Sequence, residues 1–89
     1  MVEAYVVNIP CWIQIDQFTG RSPKKLLSCK YYRGTVVEIY FDRQSKPFKY
    51  RLIYEKGDIV IMPRVEDGLL ISSIAGNRTI TVLLDEGEI

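Results

Sequence analysis

The sequence predicts a single all-β domain, either a small antiparallel barrel of the SH3-like or OB-like kind or a strongly curled meander sheet. Three observations predict it. β-branched and aromatic residues are dense, turn signals recur about every 8–12 residues, and the helical signal is confined to one short segment. With 89 residues the chain is shorter than a usual domain, so we expect one core and one domain over residues 1–89.

The first part of the chain predicts one strand followed by an irregular region. Apolar residues run over residues 2–9 and stop at Pro10, and residues 12–15 are a short continuation. Residues 16–30 are otherwise predicted to be irregular. Ser22 suits the N-cap of a helix and Pro23 its first turn, so we expect at most one short helix, near residues 23–28.

The rest of the chain is predicted to be strand after strand. Phe48, Tyr50, Leu52 and Tyr54 recur at every second position and therefore share one face. At this size the sheet should curl on itself, because an open sheet would leave one face wet and two edges unpaired. The predicted strands cover residues 35–41, 48–55, 59–63, 69–74 and 79–84.

The last hairpin is predicted to turn at residues 76–77, a Gly-Asn pair whose members both tolerate the positive φ of tight hairpin turns. Ile74 then faces Thr79 across the two strands. The more apolar face of this hairpin is the predicted core face. It carries Leu69, Ile71, Ser73, Ile80, Val82 and Leu84.

An earlier hairpin is predicted to turn at residues 56–57, a Lys-Gly pair. Tyr54 then faces Ile59, which forms an apolar cross-strand pair. The same register places two acidic residues, Glu55 and Asp58, opposite each other, which is unfavourable. A four-residue loop over residues 55–58 is therefore nearly as well supported.

Composition excludes several classes of protein. The chain is 47% apolar and 26% charged, which is ordinary for a globular domain and unlike a disordered chain. No apolar run reaches the roughly 18 residues of a membrane span, and the first residues lack a secretory signal pattern. We therefore expect a cytoplasmic protein without a membrane partner. Histidine is absent, which excludes Ser-His-Asp, Cys-His and His-metal sites.

Two cysteines, Cys11 and Cys29, allow two states. They are too few for a structural zinc site, which needs four ligands. A disulfide between them is possible, but small domains that depend on disulfides usually carry more of them. We expect two reduced, mostly buried thiols.

Charge is distributed unevenly along the chain. Residues 21–56 carry ten of the twelve basic residues but only three of the eleven acidic ones. Seven of the ten aromatic residues lie in the same segment. Because Lys and Arg neutralise phosphates and aromatic rings stack on bases, this segment predicts binding of nucleic acid, single-stranded or RNA.

The predicted contact face follows from the strand pattern. Tyr40, Lys49 and Arg51 should point outward, and the loop that precedes Lys49 adds two more cations. Arg64 is expected near Lys49 across a strand pair. The candidate residues for binding nucleic acid or another partner are Arg33, Tyr40, Arg43, Lys46, Lys49, Arg51 and Arg64.

Two other functions stay open. A protein-interaction module or assembly subunit, including a homodimer, could use unpaired sheet edges and the outward apolar residues Ile53, Val60, Met62 and Leu70. A ribonuclease without histidine could stabilise its transition state with Tyr40, Lys49, Arg51 and Arg64. No catalytic constellation is recognisable, so we expect a non-enzymatic module. We expect no cofactor and no metal either, because the acidic residues 85, 86 and 88 are typical of a solvated chain end.

Two short segments resemble known families. Residues 57–61 and 82–87 resemble the strand rhythm of SH3-like barrels of the Tudor kind, although the aromatic cage residues of that family are not evident. Residues 50–54 resemble the central sheet of small ribosome-dependent toxin nucleases, whose N-terminal helical hairpin this chain lacks.

Overall fold

A computed structural model describes residues 3–20, 23–74 and 76–85 and confirms the predicted fold class. In these ranges the chain forms seven antiparallel strands in one curled sheet and no helix. The strands are β1 Glu3–Phe18, β2 Leu26–Phe41, β3 Pro47–Tyr54, β4 Gly57–Ile61, β5 Arg64–Glu66, β6 Leu69–Ile74 and β7 Arg78–Leu84.

The order of the strands explains the curl. The sheet runs β4-β3-β2-β1-β7-β6-β5, so β4 and β5 are its two edges. Successive antiparallel pairing makes β4 and β5 run in the same direction, and only Met62 and Pro63 separate them. Three Cα steps span at most about 11 Å, so this link draws the two edges together. Because β4 and β5 do not pair with each other, the sheet is a curled meander and not a closed barrel.

The inner face of the curled sheet forms one core. Alternate residues of β1, β2, β3, β4, β6 and β7 point into it, as the period of two requires. The apolar alternation of β3 is confirmed, since Tyr50 and Leu52 are both buried. The buried core residues are Cys11, Ile13, Val36, Tyr50, Leu52, Ile61, Leu70, Ile80 and Val82.

The first two strands are much longer than predicted, and they pair with each other along almost their whole length. Residues 16–30, predicted to be irregular, lie mostly within this hairpin. No helix forms near residues 23–28, where at most one short helix is expected: residues 23–25 are irregular and β2 begins at Leu26. Residues 21–22, which include the predicted N-cap, lie outside the described ranges.

Pro10 does not end the first strand. Its carbonyl accepts a hydrogen bond from the Asp85 N–H at 3.0 Å, on the side of β1 that faces away from β2. The N and C=O of one residue point to the same side of an antiparallel strand. The missing N–H of proline therefore costs no hydrogen bond between β1 and β2, and the strand continues.

The predicted register of the last hairpin is wrong by one residue. Ile74 pairs with Arg78, so three residues separate the paired positions and Gly76 adopts a φ of 75°. A slip of one residue exchanges the faces of a strand. Leu70 is therefore buried opposite Val82, whereas Leu69 and Ile71, predicted to be core residues, are only partly buried.

The predicted register of the earlier hairpin is wrong by two residues. Tyr54 pairs with Gly57, so the loop consists of residues 55–56 instead of 56–57 or 55–58. Leu52 then pairs with Ile59. A shift of two residues leaves each side chain on its predicted face, and the core of β3 and β4 is unaffected.

Candidate functional site

Three predicted site residues lie together on the outer face of β2 and β3. Tyr40 pairs with Lys49, whose Nζ lies 4.5 Å from the centre of the tyrosine ring. Arg51 donates hydrogen bonds to Asp58 at 2.8 Å and to Glu38 at 2.7 Å. Both bonds stabilise the guanidinium and raise the pKa of Arg51. Two carboxylates thus offset the charge of this outer face.

The other four predicted residues are dispersed. Arg43 and Lys46 are exposed in the loop between β2 and β3. Arg64 binds Glu66 at 3.1 Å and pairs with Ile71, so it does not lie across a strand pair from Lys49 as expected. The pairing of β3 with β4 ends at Ile61, before the chain reaches Arg64. Arg64 therefore belongs to a strand that is not paired with β3, which carries Lys49 and Arg51.

Arg33 has a different environment from the other predicted cations. Its guanidinium binds the carboxylate of Asp85. It also lies 4.8 Å from the centre of the Trp12 ring, within the range of a cation–π contact. Arg33 therefore connects the end of β7 to the middle of β1.

A cleft of about 280 Å³ opens at one end of the curled sheet. Three hairpins meet there, because β1, β3 and β6 all end at this end of the sheet. Sequence reasoning missed this grouping, since it followed charge along the chain and not across the sheet. The cleft is lined by Ile15, Gln17, Ser28, Lys30, Tyr32, Tyr54, Lys56 and Arg78.

The cleft is open because β2 is only half covered by β3. β3 pairs with β2 from Gly34 onward, and residues 26–33 pair with β1 alone. Tyr32 and Tyr54 meet edge to face at a centroid distance of 5.1 Å where that pairing stops. Both rings line the cleft at the point where β3 no longer covers β2.

The charge of the cleft is uncompensated within the described residues. Lys30, Lys56 and Arg78 line it, and no carboxylate does. None of the three cations forms an ion pair with a described residue, whereas Arg33, Arg51 and Arg64 all do. Like charges around one concave surface repel each other, and an anion bound there would relieve the repulsion.

Two further lysines extend this positive region. Lys24 and Lys25 are exposed in the loop between β1 and β2, and the Lys24 ammonium donates a hydrogen bond to the Gly76 carbonyl. This bond joins the loop to the hairpin of β6 and β7. We call the whole region the basic end, which comprises Lys24, Lys25, Lys30, Lys56 and Arg78.

A second concavity, of about 250 Å³, lies on the outer face of the sheet. Trp12 and Tyr31 are its aromatic members, and they remain 46% and 65% exposed. Tyr31 pairs with Gln14, which makes Trp12 its diagonal neighbour across β1 and β2. We call this concavity the aromatic groove, which is lined by Trp12, Gln14, Tyr31, Leu69, Thr81 and Leu83.

The two cysteines are both free and lie far apart. Cys11 pairs with Gly34, whereas Cys29 pairs with Asp16, five positions further along β1. That separation is roughly 17 Å, too long for a disulfide. Cys11 is buried as expected, and burial raises its pKa to about 11, but Cys29 is exposed, which contradicts the prediction.

The described ranges contain no group of three or more His, Cys, Asp or Glu side chains that could hold a metal ion. Acidic residues 86 and 88 lie outside those ranges. The described segments contain no helix with the length and apolar character of a membrane span.

Comparison with known protein families, with curated proteins and with solved structures found no match for this chain.

Proposed function

We propose that this chain is a non-enzymatic binding module for nucleic acid, and that the basic end contacts the phosphates. The observation that carries the proposal is the cleft of three cations, Lys30, Lys56 and Arg78, with no carboxylate in its lining. Elsewhere in the described strands, carboxylates bind the arginines. A phosphate would supply the missing negative charge and accept charge-assisted hydrogen bonds from all three.

A polyanion fits this region better than a single small anion. Lys24 and Lys25 continue the positive surface beyond the cleft, along the loop between β1 and β2. A chain of phosphates can contact the cleft and this loop at the same time. Each neutralised phosphate releases counterions, so affinity for a polyanion falls steeply with salt concentration.

The test is a salt series with a labelled single-stranded oligonucleotide, read by fluorescence anisotropy. Five phosphate contacts predict a slope of log affinity against log salt of about −3.5, since each contributes about −0.7. The triple variant Lys30→Gln, Lys56→Gln, Arg78→Gln should reduce the slope to about −1.4. Affinity of the unmodified protein should fall roughly a hundredfold between 50 and 200 mM salt.

The matched control removes two cations at the opposite end of the sheet. Arg43 and Lys46 are exposed in the loop between β2 and β3, and the variant Arg43→Gln, Lys46→Gln should keep the slope of the unmodified protein. A loss of about 1.4 in the slope of the control, the share of two cations, would assign the binding to charge in general. Absence of binding at the lowest salt concentration would refute the proposal.

A second candidate function is protein interaction or assembly. Ile53, Val60 and Met62 are exposed apolar residues on the outer side of β3 and β4 and in the link that follows. Leu70, the fourth residue expected there, is buried in the core instead. Light scattering would support this candidate by detecting a dimer that Val60→Lys converts to a monomer.

A further inference from the structure

We infer that the aromatic groove is a base-stacking site, and that the ligand of this protein is therefore a single strand whose bases are unpaired. This inference rests on the proposed function, because it describes where the bases of a strand bound at the basic end would go. The groove and the cleft lie on opposite faces of the sheet. They meet at β2, where Lys30 points to the cleft and Tyr31 to the groove.

The uncovered half of β2 allows a strand to pass between the two faces. Residues 26–33 pair with β1 alone, so no described strand lies along their other side. Successive side chains of a strand point to opposite faces. At this edge a phosphate on Lys30 and a base on Tyr31 would belong to neighbouring parts of one nucleotide chain.

Trp12 is held in position to accept a base. The Arg33 guanidinium packs on the indole ring, and Asp85 in turn binds Arg33. Arg33 packs on the Trp12 ring but does not itself line the aromatic groove. We therefore assign Arg33, a predicted nucleic-acid contact, the role of positioning Trp12.

The groove suits a base better than a phosphate. No cation lines it. Gln14, which lines the groove, donates hydrogen bonds from its amide to the Asp16 carboxylate at 2.9 and 3.2 Å, so a negative charge lies nearby. A phosphate would be repelled, whereas an uncharged aromatic base can stack on Trp12 and Tyr31 without that cost. Bases in a duplex are already stacked and paired, so this site selects single strands.

The first experiment uses Trp12 as the reporter, because it is the only tryptophan of the chain. An oligothymidylate of about twelve nucleotides, within the size range of such sites, is compared with an abasic phosphodiester strand of equal length. Both should bind the basic end, but only the strand with bases should quench Trp12 fluorescence. Equal quenching by both strands, or by neither while both bind, would overturn the inference and leave the proposed function standing.

The second experiment tests Tyr31 against a matched tyrosine. Tyr31→Ala should weaken oligothymidylate binding roughly 5-fold to 150-fold, the range for loss of one stacked base, and leave abasic binding unchanged. Tyr31→Phe should restore binding because it keeps the ring. Tyr5→Ala removes a similarly exposed tyrosine outside the groove and should have no effect.

These outcomes separate the two proposals. If neither strand binds, the proposed function fails and the inference fails with it. If both strands bind with equal affinity and Tyr31→Ala matches the unmodified protein, only the inference fails. That last result would leave the groove, with its exposed Trp and Tyr, as a site for a protein partner instead.

Discussion

Replacing Gly34 by alanine should destabilise the fold by about 2 kcal/mol, because atoms of β1 and β3 already occupy the space that a side chain at Gly34 would need. An added Cβ would lie 2.7 Å from Ile13 Cδ1 and 2.9 Å from the Ile53 carbonyl oxygen. The carbonyl belongs to the backbone of β3 and cannot move without disturbing the pairing of Ile53 with Thr35. Overpacking of this kind costs about 1–3 kcal/mol. Alanine also restricts the unfolded chain more than glycine does, but this stabilising effect offsets the cost only in part.

A double-mutant cycle tests the stated cause. Ile13→Val removes the Cδ1 atom that the new Cβ would meet, at a cost of about 0.5–1.5 kcal/mol on its own. The double variant should therefore be more stable than the sum of the two single effects predicts, by about 1 kcal/mol. Urea unfolding of all four proteins measures this difference.

A control variant places the same substitution where there is room. At Gly20 an added Cβ would have no heavy atom within 4 Å, and Gly20→Ala should leave the free energy of unfolding unchanged or slightly raised. The reasoning is refuted if Gly34→Ala is as stable as the unmodified protein. It is also refuted if the effects of Gly34→Ala and Ile13→Val simply add.

Three further predictions concern the two thiols and the outer face. A thiol reagent at about pH 8 should label Cys29 and not Cys11, since burial raises the Cys11 pKa to about 11, and mass spectrometry of the native protein checks this. The unfolded thiol ionises near its ordinary pKa of 9.0, so the stability that Cys11 contributes should decline between pH 9 and 11, measured against Cys11→Ala. The variant Glu38→Gln, Asp58→Asn frees Arg51 but should not change the salt slope of oligonucleotide binding. A slope steeper by about 0.7 would place a phosphate on the outer face.

The sequence predicted the buried face correctly in strands whose apolar side chains alternate with polar ones. It failed where the length of a loop determines the register. In β3, aromatic and apolar residues at every second position identify the inner face without further information. In β6, three consecutive apolar residues, Leu69, Leu70 and Ile71, fit either face. The length of the loop before Arg78 then decides which one is buried, and a Gly-Asn pair is compatible with loops of two or three residues.

Two prolines account for the incorrect bounds predicted for the first two strands. Pro10 is expected to end a strand because proline lacks an N–H. At this position, however, an N–H would point away from β2, so the proline loses no hydrogen bond between β1 and β2. Pro23 suits a first helical turn, yet it lies in the loop between two strands of 16 residues that pair along most of their length. The summed pairing of such a hairpin outweighs a local preference spread over a few residues.

The candidate site was harder to predict, because composition counts charges and not their partners. Glu38 pairs with Arg51 and neutralises it only because the register of β2 and β3 shifts between Val36 and Glu38. No pattern in the sequence predicts this irregularity. Arg78 lies outside the basic segment of residues 21–56. It reaches the cleft through its pairing with Gln17, a contact between distant parts of the chain.

The pairing of β7 with β1 builds both parts of the proposed binding surface. At one end of β7 it places Arg78 beside Gln17 in the cleft. At the other end Asp85 binds Arg33, which packs on Trp12 of the aromatic groove. The two ends of this strand are roughly 20 Å apart, so Asp85 lies at the end of β7 that is far from the cleft. The same arrangement that supplies a carboxylate to Arg33 keeps that carboxylate away from the cleft, where the cations stay available for phosphate.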